Sequence, residues 1–160
     1  MKQIWAPWRM PYILSEKEKG HCILCEKPKE KKDRENLILY RSPHAFVMLN
    51  LYPYNNGHLM VCPDTHASTF SELSKPKLND LISLVQKSEL VLQKSSRPTG
   101  INVGLNLGKS AGAGIADHLH FHLIPRWEGD TNFMTVAAQV RVLPERLDDT
   151  YKRLKPYFKK

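Results

Sequence analysis

The sequence predicts an α+β fold: an antiparallel sheet of about five strands, with one long helix on one face and a second helix at the C-terminus. Short β-prone runs joined by turn residues predict strands that pair antiparallel. One stretch repeats apolar residues at helical spacing. The order of strands, helix, strands and helix completes the pattern. The chain has 160 residues, 41% of them hydrophobic, which fits one globular domain.

Five short runs of β-prone residues predict the strands. The first two lie on either side of Ser42-Pro43 and predict a hairpin, because this dipeptide favours a turn. The third run ends before Pro63 and the fifth before Pro125, since proline cannot donate to a ladder. The predicted strands are 36–40, 45–50, 58–62, 101–107 and 118–124.

The long helix is predicted over residues 77–96, where apolar side chains recur every three or four positions on one face. Pro76 lies at its first turn, where a missing N–H costs nothing, and residues 97–100 end it. A last helix is predicted over about residues 144–157, and the charged stretch 26–35 is predicted as an exposed loop. The apolar face of the long helix consists of Leu78, Leu81, Ile82, Val85 and Leu92.

Charge and cysteine content limit the function classes. The chain has 24 Lys+Arg and 16 Asp+Glu, so its net charge is +8, and residues 141–160 carry +4 of it (seven basic, three acidic). A basic tail attracts polyanions, but charge alone is weak evidence for nucleic-acid binding. Three cysteines, an odd number, argue against a disulfide scaffold. No apolar run reaches membrane-spanning length, so we expect no membrane partner. With no secretory signal, we expect a cytoplasmic protein. Because the charge is weak evidence, we do not expect a nucleic-acid partner.

The most informative segment alternates histidines with apolar residues. In a strand, successive side chains point to opposite faces, so His118, His120 and His122 would share one face while the apolar residues pack under the helix. An exposed strand face needs only polar residues of any type, so three histidines there favour a function. Aligned imidazoles can bind a metal, or one can act as a nucleophile or base while the others orient it.

A loop of small residues, 106–114, ends four residues before His118. Its three glycines let the backbone approach a ligand and aim N–H groups at an anion. Such loops usually only turn the chain, but this one lies next to imidazoles, and phosphorus is an electrophile that imidazole nitrogen attacks. The combination favours a phosphate-bearing substrate.

Three segments of the chain resemble the histidine triad (HIT) superfamily, whose pattern alternates three histidines with apolar residues. Residues 118–124 match the triad itself. Residues 50–58 are similar to the family's segment of Asn, Pro and Gly-His, with the same eight-residue gap, and residues 106–108 are the third match. Together the matches cover about residues 20–125.

The resemblance implies a single HIT domain with a HIT-like fold over residues 1–160. Residues 1–20 would be an N-terminal extension, and residues 141–160 a C-terminal helical tail. The flanks 5–13 and 125–134 resemble the bacterial diadenosine tetraphosphate phosphorylase-like branch. HIT proteins commonly pair, so a homodimer is implied. The tryptophans that fit packing or dimer contacts are Trp5, Trp8 and Trp127.

The resemblance also implies a role for each site residue. His120 would attack the α-phosphorus of a dinucleoside polyphosphate and form a nucleotidyl-histidine intermediate, which inorganic phosphate or water would then resolve. His122 would hold the phosphate, His118 would support the array, and His58 would complete the imidazole network. Asn50 would bind the ribose hydroxyls, and no organic cofactor is expected. The phosphate would be held by Asn106 and by backbone N–H groups near Gly112 and Gly114.

Two alternative functions stay open. The first is a purine nucleoside phosphoramidase or mononucleotide hydrolase of the same family. That branch typically has Gly-Gln-Ser before the triad, with a serine that assists the leaving amine, whereas Ile115 stands there in this chain and has no proton to donate. The second alternative is a zinc-stabilised nucleic-acid-binding module that uses the basic tail.

Cys22 and Cys25 form a C-x-x-C pair, which needs two further ligands to close a tetrahedral zinc site. A redox disulfide is another interpretation, but no thioredoxin-like βαβ pattern surrounds the pair. In the family, two histidines complete such a pair, and the resemblance places them at His66 and His118. The zinc would be structural and would tie the N-terminal segment to the catalytic strand. The rival ligands are His21 and His44.

Overall fold

The computed structural model describes residues 21–130 and 143–159. The N-terminal flank 5–13 with its tryptophans Trp5 and Trp8, and residues 131–134 of the flank 125–134, lie outside these residues. The helices and strands are α1 (Ile23–Lys29), β1 (Ile38–Arg41), β2 (Ala45–Leu49), β3 (Leu59–Pro63), α2 (Lys75–Ser96), β4 (Gly100–Leu105), β5 (Phe121–Arg126) and α3 (Leu147–Leu154).

The five strands form one antiparallel sheet in the order β1-β2-β3-β5-β4, which confirms the α+β prediction. The chain leaves the sheet after β3, passes through α2, and returns as the edge strand β4. The last strand, β5, then lies between β3 and β4, with Met60 of β3 opposite His122 and Gly104 of β4 on its other side. This order places β5, which carries His122, in the interior of the sheet beside the edge strand β4.

Helix α2 covers one face of the sheet and contacts β2, β3 and β5. Its buried face includes Leu81, Leu84 and Leu92, which pack with Val61 and Leu123 from the strands into the main core. The C-terminal segment packs against the same core, because α3 and the 3-10 turn that follows it contact α2. Within the described residues, no helix combines the length and the apolarity that crossing a bilayer requires.

The opposite face of the sheet carries a second, smaller core, and helix α1 lies against it. Leu24 of α1 is 1% exposed and packs with Phe46, Met60 and Cys62 from the strands. The prediction of an exposed loop over residues 26–35 is therefore wrong for residues 26–29. The charged composition suggested a loop, but burial of the apolar side of this short helix stabilises it even with Pro28 inside.

The fifth strand begins at Phe121 and runs through Pro125 to Arg126, so the predicted range 118–124 was too early. His118 and His120 precede the strand, outside regular secondary structure. Pro125 does not end the strand, because the pairing with β4 continues through it, with Ile101 opposite Pro125. On the other side β3 pairs with β5 only at residues 121–123, so the missing N–H of Pro125 costs no hydrogen bond to β3. The other helix and strand ends differ from prediction by one to three residues, as is usual for boundaries.

Two leucines of α2 test which face of the helix is buried. Leu92 is 0% exposed and Leu90 is 45% exposed. We expect Leu92→Ala to lower the free energy of unfolding by about 2–5 kcal/mol, because it leaves a cavity in the core. Leu90→Ala should change it by less than about 0.5 kcal/mol. Urea denaturation measures both, and equal losses would contradict the assigned face.

Candidate active site

The segment that leads into β5 separates its imidazoles from its apolar side chains. Leu119 and Leu123 belong to the core under α2, while the register of β5 places His122 beside Met60, which belongs to the second core. The rings of His120 and His122 lie 4.9 Å apart. Alternation therefore continues through residues that are not part of the strand, and these imidazoles face away from the helix.

The tautomer of His120 is set by the backbone. Its Nδ1 lies 2.8 Å from the main-chain oxygen of His118. Because a carbonyl can only accept, Nδ1 carries the proton and donates it, and Nε2 is left with its lone pair. Burial lowers the pKa of His120, which favours the neutral ring. The arrangement is that of an imidazole ready to act as a nucleophile.

A relay of hydrogen bonds sets the tautomers of the next two imidazoles. The backbone N–H of Tyr54 donates to Nδ1 of His58 over 3.1 Å, so His58 carries its proton on Nε2. That Nε2–H donates to Nδ1 of His122 over 2.9 Å. His122 in turn keeps its proton on Nε2, the nitrogen opposite His58. The relay makes His122 a hydrogen-bond donor at the site.

Burial keeps this pair of imidazoles neutral. It lowers the pKa of His58 to about 3, with smaller contributions from His122 and His120. It also lowers the pKa of His122 to about 4, with His120 as the second cause. Two neutral rings can share one directed hydrogen bond, whereas protonation of either acceptor nitrogen would break the relay.

The turn between β2 and β3 carries the first part of the relay and is anchored to the end of β5. The side-chain amide of Asn55 donates to the carbonyl of Pro125 and to Asp130, each over 3.0 Å, and the backbone N–H of His58 donates to the carbonyl of Asn55. Gly57 has φ +76°, and a Cβ there would lie 3.3 Å from Pro125. Glycine is therefore required by both the backbone angle and the close packing.

Asn50, the predicted ribose ligand, begins the same turn. Its Oδ1 accepts the backbone N–H of Tyr52 over 3.0 Å, and its Nδ2 lies 3.4 Å from Nδ1 of His58. The predicted ribose-binding residue and the predicted imidazole network are thus in direct contact.

The predicted phosphate loop folds tightly on itself. Gly108 and Gly112 have φ of +80° and +86°, which favours glycine at both positions. The backbone N–H of Gly112 donates to the carbonyl of Lys109, and a Cβ on Gly112 would lie 3.9 Å from the amide nitrogen of Asn106. The N–H of Gly112 is therefore used within the loop rather than aimed outward. Gly114 is exposed at the end of the loop.

The four residues predicted as zinc ligands come together. One donor atom from each of them lies within 4.8 Å of all the others. The Nδ1 atom of His118 is 3.3 Å from the sulfur of Cys22 and 3.4 Å from that of Cys25. A tetrahedral zinc with bonds of about 2.3 Å to sulfur and about 2.0 Å to nitrogen puts such atoms about 3.6 Å apart. The fourth residue of the cluster is His66, whose Nδ1 lies 3.4 Å from Cys25.

The protonation of the cluster also fits a metal. The Nε2–H of His118 donates to the carbonyl of Pro63 over 3.0 Å, which leaves a lone pair on the Nδ1 that faces the two sulfurs. Burial and the neighbouring Cys22 raise the pKa of the Cys25 thiol to about 11, so its thiolate needs a nearby cation. The rival ligands are not part of this cluster. His21 instead contacts Glu26.

Sequence reasoning missed two residues of the site, Tyr54 and Asn55. The ring of Tyr54 lies 4.9 Å from that of His58 and 6.1 Å from that of His122. Both residues fall within residues 50–58, which were compared with the family only at its Asn, Pro and Gly-His positions. The available signal was their position: the aromatic residue lies four positions, and the amide three positions, before His58.

Comparisons with known proteins agree on one family. The HIT domain family model matches residues 31–129. The AP-4-A phosphorylase of Mycobacterium tuberculosis is 39% identical over 161 residues, which cover 96% of this chain and 83% of that protein. The bis(5'-adenosyl)-triphosphatase of Dictyostelium discoideum is 31% identical over 97 residues, 61% of this chain and 64% of that protein.

Solved structures share the fold. A hypothetical histidine triad nucleotide-binding protein from Sulfolobus tokodaii superposes with a TM-score of 0.70 at 26% identity, over 86% of this chain and 92% of that one. A Zn-bound histidine triad family protein from Mycobacterium smegmatis has a TM-score of 0.63 at 23% identity, over 78% and 84% of the two chains. At that identity the second likeness shows the fold alone.

The buried imidazoles should make stability depend on pH. In the unfolded chain a histidine takes up a proton near pH 6.5, whereas the pKa values of His58 and His122 in the folded protein are about 3 and about 4. The unfolded state therefore binds more protons between about pH 4 and 6.5. Stability is complete above this window and falls as the pH drops through it, by up to about 2 kcal/mol per pH unit.

Urea denaturation at pH 7, 6 and 5 measures this slope. His58→Gln removes one of the two imidazoles and should give a shallower slope. His44→Ala changes a half-buried histidine that is not part of the imidazole relay and should keep the wild-type slope. Any effect of acid on the cluster of Cys22, Cys25, His66 and His118 is common to all three proteins, so identical slopes would rule out the assigned protonation.

Proposed function

The chain belongs to the HIT domain family, and from this we propose that it is an enzyme that cleaves dinucleoside polyphosphates at the α-phosphate. The observation that carries the proposal is the fixed tautomer of His120, whose Nδ1 is committed to the carbonyl of His118 while Nε2 keeps its lone pair. The identity of 39% with an AP-4-A phosphorylase over nearly the whole chain supports this substrate class.

In the proposed first step, Nε2 of His120 attacks the α-phosphorus. A nitrogen–phosphorus bond forms as the bond from that phosphorus to the bridging oxygen breaks, and the rest of the substrate leaves as a nucleoside polyphosphate. His122 donates its Nε2–H to the phosphoryl group as charge develops there, which the relay from Tyr54 through His58 makes possible. Asn50 would hold the ribose of the half that stays on the enzyme.

In the second step, an acceptor attacks the phosphorus of the nucleotidyl-histidine and releases Nε2 of His120. With inorganic phosphate as the acceptor, diadenosine tetraphosphate yields ADP and ATP; with water it yields AMP and ATP. We propose phosphate as the acceptor. Asn106 and Gly114 would contact the phosphate, and Gly112, whose N–H is used within the loop, would only shape it. A phosphoramidase is disfavoured because Ile115 has no proton to donate and packs against the second core.

Product analysis tests this proposal. The protein is incubated with diadenosine tetraphosphate, with and without inorganic phosphate, and the nucleotides are separated by anion-exchange chromatography. We expect ADP and ATP only when phosphate is present. His120→Ala should lower kcat by at least about 10³-fold, because the nucleophile is lost, whereas His44→Ala should match the wild type. A folded His120→Ala protein with full turnover would refute the mechanism, and AMP formed regardless of phosphate would make the enzyme a hydrolase.

We also propose that Cys22, Cys25, His66 and His118 hold a structural zinc ion. The spacing of the donor atoms and the free lone pair of His118 support it. The site lies beside the reaction centre rather than in it. His118 offers its ring to the cluster and its carbonyl to His120. A metal here would hold that carbonyl in place without contacting the substrate.

Metal analysis tests the zinc site. We expect one zinc per chain, and a fall in Tm of about 5–15 °C when a chelator removes it, because a ligand that binds only the folded state stabilises that state. Cys25→Ser should lose the zinc. Cys62→Ala is the matched control, since Cys62 is 0% exposed and lies in the second core outside the cluster. Full zinc content in Cys25→Ser would contradict the assigned ligands.

We propose that the chain forms a homodimer. Strand β4 lies at the edge of the sheet and its side chains are largely exposed, with Val103 49% exposed. An unpaired edge with an apolar side chain favours pairing with another strand. A cytoplasmic location also stays a prediction, supported by the free cysteines of the described residues.

Light scattering coupled to size exclusion tests the dimer. We expect a mass of twice 18.4 kDa, which is 36.8 kDa. Val103→Lys should shift the protein toward the monomer, because it puts a charge on the edge strand. Ile82→Lys, at a residue of similar exposure (46%) on α2, should stay dimeric. A wild-type mass of one chain at micromolar concentration would refute pairing.

A further inference from the structure

We propose that Asp130, in the loop after β5, is a positioning residue that holds His58 in the imidazole relay through the side chain of Asn55. The inference rests on the proposed function, because it concerns the relay that makes His122 a donor to the phosphoryl group. It adds a carboxylate, outside the set of predicted site residues, to the groups on which that donor depends.

The need for such a residue follows from the way His58 is held. The N–H of Tyr54, which fixes the tautomer of His58, and the carbonyl of Asn55, which accepts the backbone N–H of His58, both belong to the turn between β2 and β3. The two residues lie after the end of β2 and before the start of β3, so side chains rather than strand pairing have to hold them. A shift of this turn would move the donor away from Nδ1 of His58 and free the ring to take its other tautomer.

The side chain of Asn55 anchors this turn. The residue is 7% exposed, and its Nδ2 donates to the carbonyl of Pro125 and to Oδ2 of Asp130, each over 3.0 Å. The first acceptor is a neutral backbone group, whereas the second is a carboxylate. Hydrogen bonds to a charged acceptor are about twice as strong as neutral ones. Asp130 therefore supplies the stronger of the two anchors.

The carboxylate of Asp130 is itself fixed by its surroundings. Arg126 donates from Nε to Oδ2 over 2.6 Å and from Nη2 to Oδ1 over 2.9 Å, which is a bidentate pair. The guanidinium is held in turn, because its Nη1 donates to the side chain of Asn102 in β4 over 3.1 Å. The backbone N–H of Asp130 donates to the carbonyl of Trp127 and closes the loop after β5. With its side chain only 10% exposed, Asp130 offers Asn55 an acceptor at a fixed place.

These contacts connect the loop after β5 to the proton on His122. His122 keeps its proton on Nε2 while His58 donates to its Nδ1, so a loosened turn would let both rings change tautomer. The proposed reaction needs the Nε2–H of His122 most in the transition state, where charge develops on the phosphoryl oxygens. Loss of the anchor should therefore lower kcat and leave KM nearly unchanged.

Histidine tautomers test the inference directly, because long-range proton–nitrogen NMR reads them without turnover. Asp130→Ala should shift the ring nitrogens of His58 and His122 toward mixed tautomers. The ring of His120 is held by the carbonyl of residue 118 and should keep its tautomer, which makes it an internal reference. With diadenosine tetraphosphate, kcat should fall about 10–100-fold because the donor is displaced, while KM stays within about twofold.

Glu145→Ala is the matched control for a loss of stability. Like Asp130, Glu145 accepts two hydrogen bonds from an arginine, over 2.8 and 2.6 Å from Arg153, but it lies beside α3. Its removal should lower Tm and leave the tautomers and kcat of the wild type. Wild-type tautomers in a folded Asp130→Ala protein would overturn the inference, whatever the change in Tm. Equal changes in Glu145→Ala and Asp130→Ala would overturn it as well.

A double-mutant cycle tests whether Asp130 acts through Asn55. Added to Asn55→Ala, Asp130→Ala should change kcat by less than about a further twofold, because the shared contact is already lost. Independent, multiplicative losses would overturn the proposed route.

Arg126→Gln is the milder variant that decides the matter if Asp130→Ala does not fold. Its side chain is 41% exposed, and its substitution leaves the carboxylate in place without the bidentate partner. Mixed tautomers of His58 and His122 in this variant would support the inference, and wild-type tautomers would overturn it. A wild-type protein that cleaves no dinucleoside polyphosphate would refute the proposed function instead, because the tautomer measurement does not depend on turnover.

Discussion

The hydrogen bond from Nδ1 of His120 to the carbonyl of His118 is the contact on which the site depends. It fixes which nitrogen of His120 has a lone pair, and so leaves that nitrogen available for the attack on phosphorus that we propose. The carbonyl is held in turn by the surroundings of its own residue, because the ring of His118 is fastened to Pro63 and faces the two sulfurs of the cluster. His118 therefore links the cysteine–histidine cluster, which its ring contacts, to the proposed nucleophile His120, which its carbonyl binds.

The sheet gives this contact its dry environment. Leu119 and Leu123 pack in the core below α2, and this packing holds the histidine segment against the sheet. His118 and His120 are therefore only 1% and 4% exposed. Desolvation lowers the pKa values of the imidazoles, so the neutral forms needed for directed hydrogen bonds prevail. The turn before β3 adds a second fixed donor through His58. The alternation of histidines and apolar residues in this one segment thus accounts both for the packing of the core and for the neutral imidazoles of the site.

Much of this was predictable because it depends on local pattern. The helical spacing in α2 and the alternation around His120 are readable from residue order alone. Both were confirmed, except that Ile82, predicted on the buried face of the helix, is 46% exposed. The helix α1 was not predictable in this way, since its stability comes from Leu24 meeting a sheet face that is distant in sequence. The start of β5 was misplaced because alternation does not reveal where the partner strand stops. Tyr54 was missed for a related reason: its contact with the imidazoles exists only once the turn is folded.

Both tautomers that matter are set by main-chain groups, the N–H of residue 54 and the C=O of residue 118. Every amino acid supplies a carbonyl, and every one but proline supplies an amide hydrogen. A substitution of the side chain at residue 54 or 118 therefore leaves the tautomers unchanged, provided that the backbone conformation is kept. Substitutions during evolution can change the side chains at these two positions, including the proposed metal ligand and the aromatic ring, and still leave Nε2 of His120 with its lone pair.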